Sequence, residues 1–335
     1  SPAGRMAGGG GDAAEVDDAK EHARPPGAAR MACWRAMRGC LLSVDGCLEG
    51  GVRVASAFMK VLGPCLVLLA HFLILFVVYT YLRLAWPLMD VPGGEFGKAL
   101  LAVWGVFLIT NAVYNYWQTI FTDAGTPPEY AELAKAAEET DAPKPKQCHK
   151  CGRHKPPRAH HCSICHRCVL KMDHHCPWVN NCVGWGNYPH FCLFMLFLAM
   201  ACVFAAAIFI WSFPDVVLQT RFRRLPGTRY ARKCIATSFM ICVSIFIALC
   251  ILGGFHAYLV LTNQTTIEFQ LNMIKRRESR QNAELFRNPY DLGRRRNFQQ
   301  VFGPTPFLNL RWMFPPLAPR STADGLVFPS LRAAR

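Results

Sequence analysis

Four long apolar stretches, at 61–82, 99–121, 191–213 and 234–261, contain no Asp, Glu, Lys or Arg. A hydrocarbon core about 30 Å thick needs roughly 20 helical residues to cross it, so each stretch predicts a membrane-spanning helix. Fully buried helices of a soluble protein are the alternative, and four such runs in one chain weigh against it. Pro64 lies near the start of the first stretch, and Gly253 with Gly254 predicts a bend in the last. The predicted organisation is an N-terminal region 1–60, helices 1 and 2 in 61–121, a polar loop 122–190, helices 3 and 4 in 191–261 and a C-terminal region 262–335.

Charge adds an orientation. Lys and Arg number 37 against 22 Asp and Glu, and hydrophobic residues make up 52% of the chain. With four spans, both tails and the large loop share one side. They carry 29 Lys and Arg, whereas the 83–98 and 214–233 connections together carry 8. This asymmetry predicts cytosolic tails and a cytosolic loop. Arg221, Arg223, Arg224, Arg229, Arg232 and Lys233 argue weakly the other way, and cysteine chemistry breaks the tie, because thiolates persist better in a reducing compartment. The basic excess therefore reads as a membrane face. No basic helix or aromatic-interleaved sheet motif accompanies it, so no nucleic-acid partner is expected. Residues 1–30, rich in Gly, Ala and Pro and carrying charges, predict disorder rather than a cleavable signal peptide; the chain opens on Ser1, with Met6 and Met31 as candidate starts. Five prolines between 304 and 319 predict irregular chain over 303–320.

Seven of the 16 cysteines crowd into 148–182, among eight histidines in 149–190. That mixture points to metal rather than to a disulfide scaffold. An internal repeat sharpens it: Cys148-x2-Cys151-x9-His161-x6-Cys168 recurs fourteen residues later as Cys162-x2-Cys165-x9-His175-x6-Cys182. Each copy offers three sulfurs and one imidazole, a tetrahedral set for zinc. The copies overlap, so the two sites must interleave. Two closed four-ligand sites are structural, stapling a loop too small and polar to build its own core. His160 and His174 are also fourteen apart, so spacing leaves open which histidine of each adjacent pair is the ligand.

One cysteine is left over. A third copy beginning at Cys176 would need ligands at Val179, Pro189 and Leu196, and none of these binds zinc. Cys176 follows Asp173, His174 and His175 directly. One histidine is needed for zinc, and the other is free to serve Cys176 as a base while Asp173 fixes its tautomer, an arrangement that activates a thiol. The alternative is an inert thiol, with Asp173 supporting a zinc-bound histidine. Spacing does not choose between them.

These residues resemble the DHHC family of protein S-acyltransferases (palmitoyltransferases). The resemblance rests on Cys148 and Cys151, on Lys155-Pro156-Pro157-Arg158-Ala159-His160-His161-Cys162, on Cys165 and Cys168, and on Asp173 through Gly184, which reads DHHCPWVNNCVG. It extends to Thr265-Thr266-Ile267-Glu268, similar to the family's TTxE motif, and to the aromatic and Asn-containing segment Phe286 through Tyr290, Asn297-Phe298 and Val301-Phe302-Gly303. It covers roughly 60–303. One departure is Thr122-Asp123-Ala124-Gly125, where the family usually has Asp-Pro-Gly; without proline's restraint this turn is expected to be looser.

The resemblance implies an all-α integral membrane protein with four transmembrane helices and a cytosolic zinc-stapled domain between helices 2 and 3. It implies that Cys176 carries an acyl group, His174 is the base, Asp173 orients it, and His161 and His175 complete two structural Zn2+ sites with the six repeat cysteines. It further implies a two-step ping-pong transfer of a long-chain acyl group from palmitoyl-CoA, through Cys176, to cysteines of cytosolic or membrane proteins near the bilayer. Thr266 and Asn297 are expected to support the site, and Trp178, Arg158 and Lys171 to contact acyl-CoA. Arg153, Lys155 and Arg167 are further candidate cations for the CoA phosphates, with a solvated surface charge as the other reading for every cation of this set. An endoplasmic reticulum or Golgi membrane is expected by the same analogy.

Other features are read more plainly. The alanine-rich third span, with Ala199, Ala201, Ala205, Ala206 and Ala207, predicts close helix packing, with an acyl-chain cavity as the alternative. Asn111, Asn115 and Gln118 share one helix face and predict interhelical hydrogen bonds. His71 and His256 are read as packing residues. Cys33, Cys40 and Cys47 read as a chance apolar helix face, with acylation as the other reading. The competing function is a zinc-stapled membrane scaffold or RING-like adaptor. A transporter is disfavoured by the absence of charges within the spans.

Overall fold

The computed structural model describes residues 26–89, 91–140, 142–217, 228–282, 285–304 and 324–331, with side chains undescribed at 26–49, 52–53, 88, 213–217 and 228. The expectations for 1–25, for most of the Pro-rich 303–320 segment, for Arg221, Arg223 and Arg224, and for the side chains of Cys33, Cys40 and Cys47 lie outside the described residues. The chain divides into two compact units, Ser1–Arg53 and Val54–Arg335. The first is described as helical backbone from Pro26 on.

Four helices are long and apolar enough to cross a membrane: Val54–Ala85, Gly94–Phe121, Tyr188–Ser212 and Arg229–Leu261. They belong to α1 (Pro26–Tyr79) with the π-helical turn Thr80–Ala85 that extends it, α2 (Gly94–Phe121), α4 (Tyr188–Val217) and α5 (Thr228–Leu261). Three of them run past their uncharged stretches to take in Lys60 and Arg83, Lys98, and Arg229 with Lys233 near the ends, where long stems lie along apolar surface while the charge reaches water. Pro87 follows within the 3-10 turn Trp86–Leu88, where a proline lacking an N–H stops the helix. Val61, Leu68, Phe72, Val103 and Ile251 are each more than 60% exposed on these helices, so the outer surface is apolar and suits lipid. Gly105 lets α2 approach α4: a Cβ there would meet the Phe204 ring at 2.9 Å.

The loop between α2 and α4 carries α3 (Tyr130–Glu139) and three antiparallel hairpins. They pair β1 (Lys146–Gln147) with β2 (His154–Lys155), β3 (His160–Cys162) with β4 (Arg167–Val169), and β5 (His174–Cys176) with β6 (Asn181–Val183). The registers Lys146↔Lys155, His160↔Val169 and His174↔Val183 are fourteen residues apart, so the sequence repeat is a hairpin repeat with three members. Each tight turn carries one residue at positive φ at the same place: Gly152 (69°), His166 (55°) and Asn180 (47°). Gly has no Cβ to clash in that region, and Asn and His are enriched among the other residues that enter it.

The C-terminal region adds α6 (Thr266–Gln281) and α7 (Arg294–Phe302). Asparagines join these pieces. Asn181 Nδ2 lies 3.0–3.2 Å from the carbonyls of Thr119, Ile120 and Thr122 at the end of α2, and Asn187 Nδ2 donates to Thr119 and Cys182 carbonyls. At the end of α5, Asn297 Nδ2 donates to the Leu261 carbonyl at 2.7 Å and Asn288 Nδ2 to that of Thr262 at 2.7 Å. The last carbonyls of a helix lack intrahelical donors, and these carboxamides supply them. The turn at Ala124 is not loose. The Ala124 carbonyl accepts Gly186 N–H, the Gly125 carbonyl accepts Leu170 N–H, and Asp123 pairs with Arg167 at 2.6 Å.

Of the three polar residues on the α2 face, Asn111 donates back to its own helix at the Phe107 carbonyl, and Gln118 accepts from Thr122. Only Asn115 reaches a neighbouring helix, at His190, 3.0 Å away. His71 packs against Tyr116 and accepts from Trp117 Nε1, in keeping with a packing role.

Candidate active site

Strand alternation sorts the histidines that spacing could not. Successive side chains in a strand face opposite sides. His174 and Cys176, two apart in β5, share one side of the strand; His175 between them faces the other. His175 pairs across the hairpin with Cys182, as His161 does with Cys168. Cross-strand neighbours lie about 5 Å apart, so each of these two hairpins presents one histidine and one cysteine to a single point.

Two four-residue clusters result, Cys148–Cys151–His161–Cys168 and Cys162–Cys165–His175–Cys182. Because His161 and Cys162 are adjacent in β3 and face opposite ways, one strand feeds both clusters, which is how they interleave. Contacts within the clusters include 3.4 Å (Cys165 Sγ to His175 Nδ1) and 4.0 Å (Cys168 Sγ to His161 Nδ1), and all four ligand atoms of each lie within 4.8 Å of one another. A tetrahedron with Zn–S near 2.3 Å and Zn–N near 2.0 Å has edges of about 3.5–3.8 Å. The donor sets and distances fit structural zinc.

Cys176 belongs to neither cluster. It stands at the first-cysteine position of the third hairpin, where Val179 occupies the second, and both are buried with Leu108, Ala112, Tyr116 and Phe191 of the membrane helices. Tyr116 Oη donates to the Trp178 carbonyl at 2.7 Å, tying this turn to α2. The side chain of Asn180 rests on Gly63 of α1, where any Cβ would collide with it.

Behind Cys176, His174 Nδ1 lies 2.6 Å from Asp173 Oδ2, leaving Nε2 for the thiol. Asp173, 1% exposed, bonds His174 and not His175. Its other partners are Thr266 N–H at 2.9 Å and Thr266 Oγ1 at 2.7 Å. Burial by itself would raise the Asp173 carboxyl, but the hydrogen bond and charge of His174 hold it below the usual range. Burial would likewise lower His174, yet its bonds to Asp173 and Cys176 hold it up at about 9.

The Thr265-to-Glu268 segment does three jobs. Thr265 Oγ1 accepts Glu268 N–H and Glu268 Oε2 accepts Thr265 N–H, a capping box that starts α6. Thr266 at the first position grips Asp173. Glu268 receives both Nε and Nη2 of Arg158 at 2.7 Å.

That last contact changes the reading of the cations. The acyl-CoA expectation put Arg158 and Lys171 against phosphates. Instead Arg158 is buried in a forked pair with Glu268, bonds Asn263, and lies between the rings of Tyr290 (4.2 Å) and Phe328 (4.9 Å). Lys171 lies 5.2 Å from the Phe328 ring, and burial with the nearby Arg158 charge pushes its pKa down to about 7. Neither lines the cavity beside Cys176. Arg153 remains exposed. Trp178, half exposed, stands at the cavity wall with Pro177. Asn297 serves the α5–α7 junction rather than the thiol.

The cavity itself, about 700 Å³, extends from His174 and Cys176 between the membrane helices as far as Ala205, Cys242 and Trp86. On α4 its lining runs from Phe191 to Ala205; at 1.5 Å per residue that is roughly 21 Å, more than half of a ~30 Å hydrocarbon core. Ala201 and Ala205 line it, so these small residues leave space rather than only bringing helices together. Sequence reading missed His256, which is 2% exposed and falls in one cluster with Asp173 and His174. The available signal was an ionisable side chain inside a span, which is costly there without a role.

Comparison with known proteins matches a family profile described as DHHC palmitoyltransferase to residues 141–273. Probable protein S-acyltransferase 16 of Arabidopsis thaliana is 31% identical over 247 residues, covering 71% of this chain and 82% of the relative. Palmitoyltransferase ZDHHC20 of Homo sapiens is 32% identical over 301 residues, 81% and 78% of the two chains, and palmitoyltransferase ZDHHC2 of Mus musculus is 31% identical over 289 residues, 77% and 74%.

Proposed function

We propose that this chain, which belongs to the DHHC palmitoyltransferase family, is a protein S-palmitoyltransferase that carries a long-chain acyl group on Cys176. The supporting observation is that Cys176 stands outside both four-ligand clusters, on the same side of β5 as His174, at the head of an apolar cavity between the membrane helices.

In the first step the Cys176 thiolate attacks the thioester carbonyl of palmitoyl-CoA. A carbon–sulfur bond forms to Cys176, the bond to the CoA sulfur breaks, and the proton held on His174 Nε2 goes to departing CoA. In the second step a cysteine thiol of the substrate protein gives its proton to His174 and attacks the acyl-enzyme, releasing Cys176. Asp173 keeps Nδ1 of His174 protonated and its ring aligned in both steps. Two thioesters are exchanged for each other, so the barrier is lowered mainly by placement. The acyl chain lies in the cavity, and the polyanionic CoA stays in water, with Trp178 at the boundary. Zinc held by the two clusters cross-links the hairpins that hold this geometry.

Acceptor cysteines of cytosolic or membrane proteins must come to the membrane surface, because the thiol is fixed there. Cytosolic placement of the tails and loop follows from the positive charges and from the need to keep thiols reduced; an endoplasmic reticulum or Golgi membrane is the family expectation.

The test is incubation of the full chain, purified with two zincs bound, with a clickable palmitoyl-CoA. The expected result is a hydroxylamine-sensitive label that Cys176→Ser abolishes while zinc is retained. A zinc-loaded chain that takes no label, or a Cys176→Ser chain that labels as well as wild type, rejects the acyl-carrier role and favours the scaffold.

A further inference from the structure

Two helices bring a third polar group to the Asp173–His174 pair. His256 projects from α5, inside the span Arg229–Leu261, and one of its ring nitrogens lies within 4.8 Å of both an Asp173 oxygen and a His174 nitrogen. Its Nδ1 is 3.1 Å from the Tyr188 hydroxyl of α4. Phe191, almost one turn further along α4, sets its ring edge-on to both imidazoles, with centroids 5.4 Å from His174 at 69° and 5.1 Å from His256 at 77°.

A packing histidine does not need this arrangement. An apolar residue would fill the same space without the cost of burying two ring nitrogens in a membrane helix. What an imidazole adds is a polar edge beside a carboxylate whose hydrogen-bond partners among the described residues are His174 and Thr266. Fixed at one nitrogen by Tyr188 and at its face by Phe191, the ring can hold only a narrow range of orientations.

We propose that His256, locked by Tyr188 and Phe191, is a positioning residue for the reaction at Cys176: it backs the Asp173–His174 pair so that His174 stays in line with the thiol. This rests on Cys176 being the acyl carrier. It makes the spans part of the chemical apparatus, since the side chain that steadies the cytosolic pair comes from within α5.

The test follows the rate of Cys176 acylation in the full chain, in detergent or bilayers, with palmitoyl-CoA varied. His256→Phe keeps bulk and removes polarity; His256→Gln keeps a polar amide; Tyr188→Phe removes only the hydroxyl. The expected result for His256→Phe is a maximal rate lower by about tenfold or more, the scale on which a slightly misplaced catalytic group is felt, with half-saturating palmitoyl-CoA and zinc content unchanged. His256→Gln should recover most of that loss, and Tyr188→Phe should fall in the same direction. A wild-type maximal rate in His256→Phe overturns the proposal, as does an equal loss in the Gln and Phe variants. If His256→Phe loses zinc, Tyr188→Phe decides alone, with an unchanged maximal rate counting against. Absence of any label in wild type would instead reject the carrier role of Cys176.

Discussion

Thr266 holds both oxygens of Asp173, one through its backbone N–H at 2.9 Å and the other through its hydroxyl at 2.7 Å. The two residues are 93 positions apart, and the grip joins the first turn of α6 to the loop that carries Cys176. Removing the hydroxyl in Thr266→Val deletes one hydrogen bond to a charged group, worth about 1.5–3 kcal/mol. If that is felt at the transition state, the rate of Cys176 acylation should fall roughly 10- to 100-fold. Asp173→Asn should cost more, on the order of 10^3 to 10^4, because the amide no longer enforces the tautomer of His174. Stopped-time acylation assays with zinc measured in parallel check both.

Because its bonds to Asp173 and Cys176 hold His174 up at about 9, its imidazolium persists through neutral pH and is lost as pH rises past that value. The initial rate of Cys176 acylation should therefore decline on the alkaline side near pH 9. Asp173→Asn, which removes the main support for the charged ring, should move that decline to lower pH. A profile identical in the two proteins would show that the carboxylate does not set the proton affinity of the ring.

The two clusters predict a stoichiometry. Wild type should contain two zinc ions per chain by elemental analysis. The three hairpins are two to three residues per strand, far too short to be stable by themselves, so stripping the metal should unfold the loop and end acylation while the membrane helices keep their circular dichroism. Cys151→Ser should lower zinc content and activity together. Full acylation by a zinc-free chain would contradict this.

Arg158 and Glu268 form a buried forked pair. Arg158→Ala leaves a carboxylate without its partner and should destabilise by about 3–5 kcal/mol, whereas replacing both members with leucine should cost much less. Burial would raise the Glu268 carboxyl, but the Arg158 charge and hydrogen bonds hold it below its ordinary 4.5. A depressed acid contributes stability that is present above the ordinary value and lost as pH falls through the depressed one. The difference in thermal midpoint between wild type and Glu268→Gln should thus be largest at neutral pH and shrink below about pH 4.5.

Ala201 and Ala205 line the cavity away from Cys176. Phenylalanine at either position should shorten it. The ratio of palmitoyl to lauroyl transfer onto Cys176 should then fall, with the larger effect from Ala201, which lies closer along α4 to the Phe191 end. An unaltered ratio in both variants would remove the acyl chain from this cavity.

Much of this protein was legible locally. The four spans needed only a count of uncharged residues, because crossing a bilayer depends on length and composition. The six cysteines of the two ligand sets needed only the fourteen-residue repeat, because a hairpin with a fixed turn returns its ligands at fixed intervals. Even the odd position of Cys176 was visible, since its own copy of the repeat meets Val179, Pro189 and Leu196 where ligands should stand. Strand alternation and cross-strand register then assigned His175 to metal and His174 to the thiol, which spacing could not do. Tertiary contact decided the rest. Arg158 and Lys171 looked like phosphate contacts until Phe328, more than 150 residues away, was found lying over both. His256 looked like packing until α4 and α5 brought it beside Asp173. Hydropathy and ligand spacing are properties of neighbouring residues and survive in a one-dimensional reading, whereas burial of a charge and the partners of a carboxylate arise between elements far apart in the chain and exist only once those elements pack.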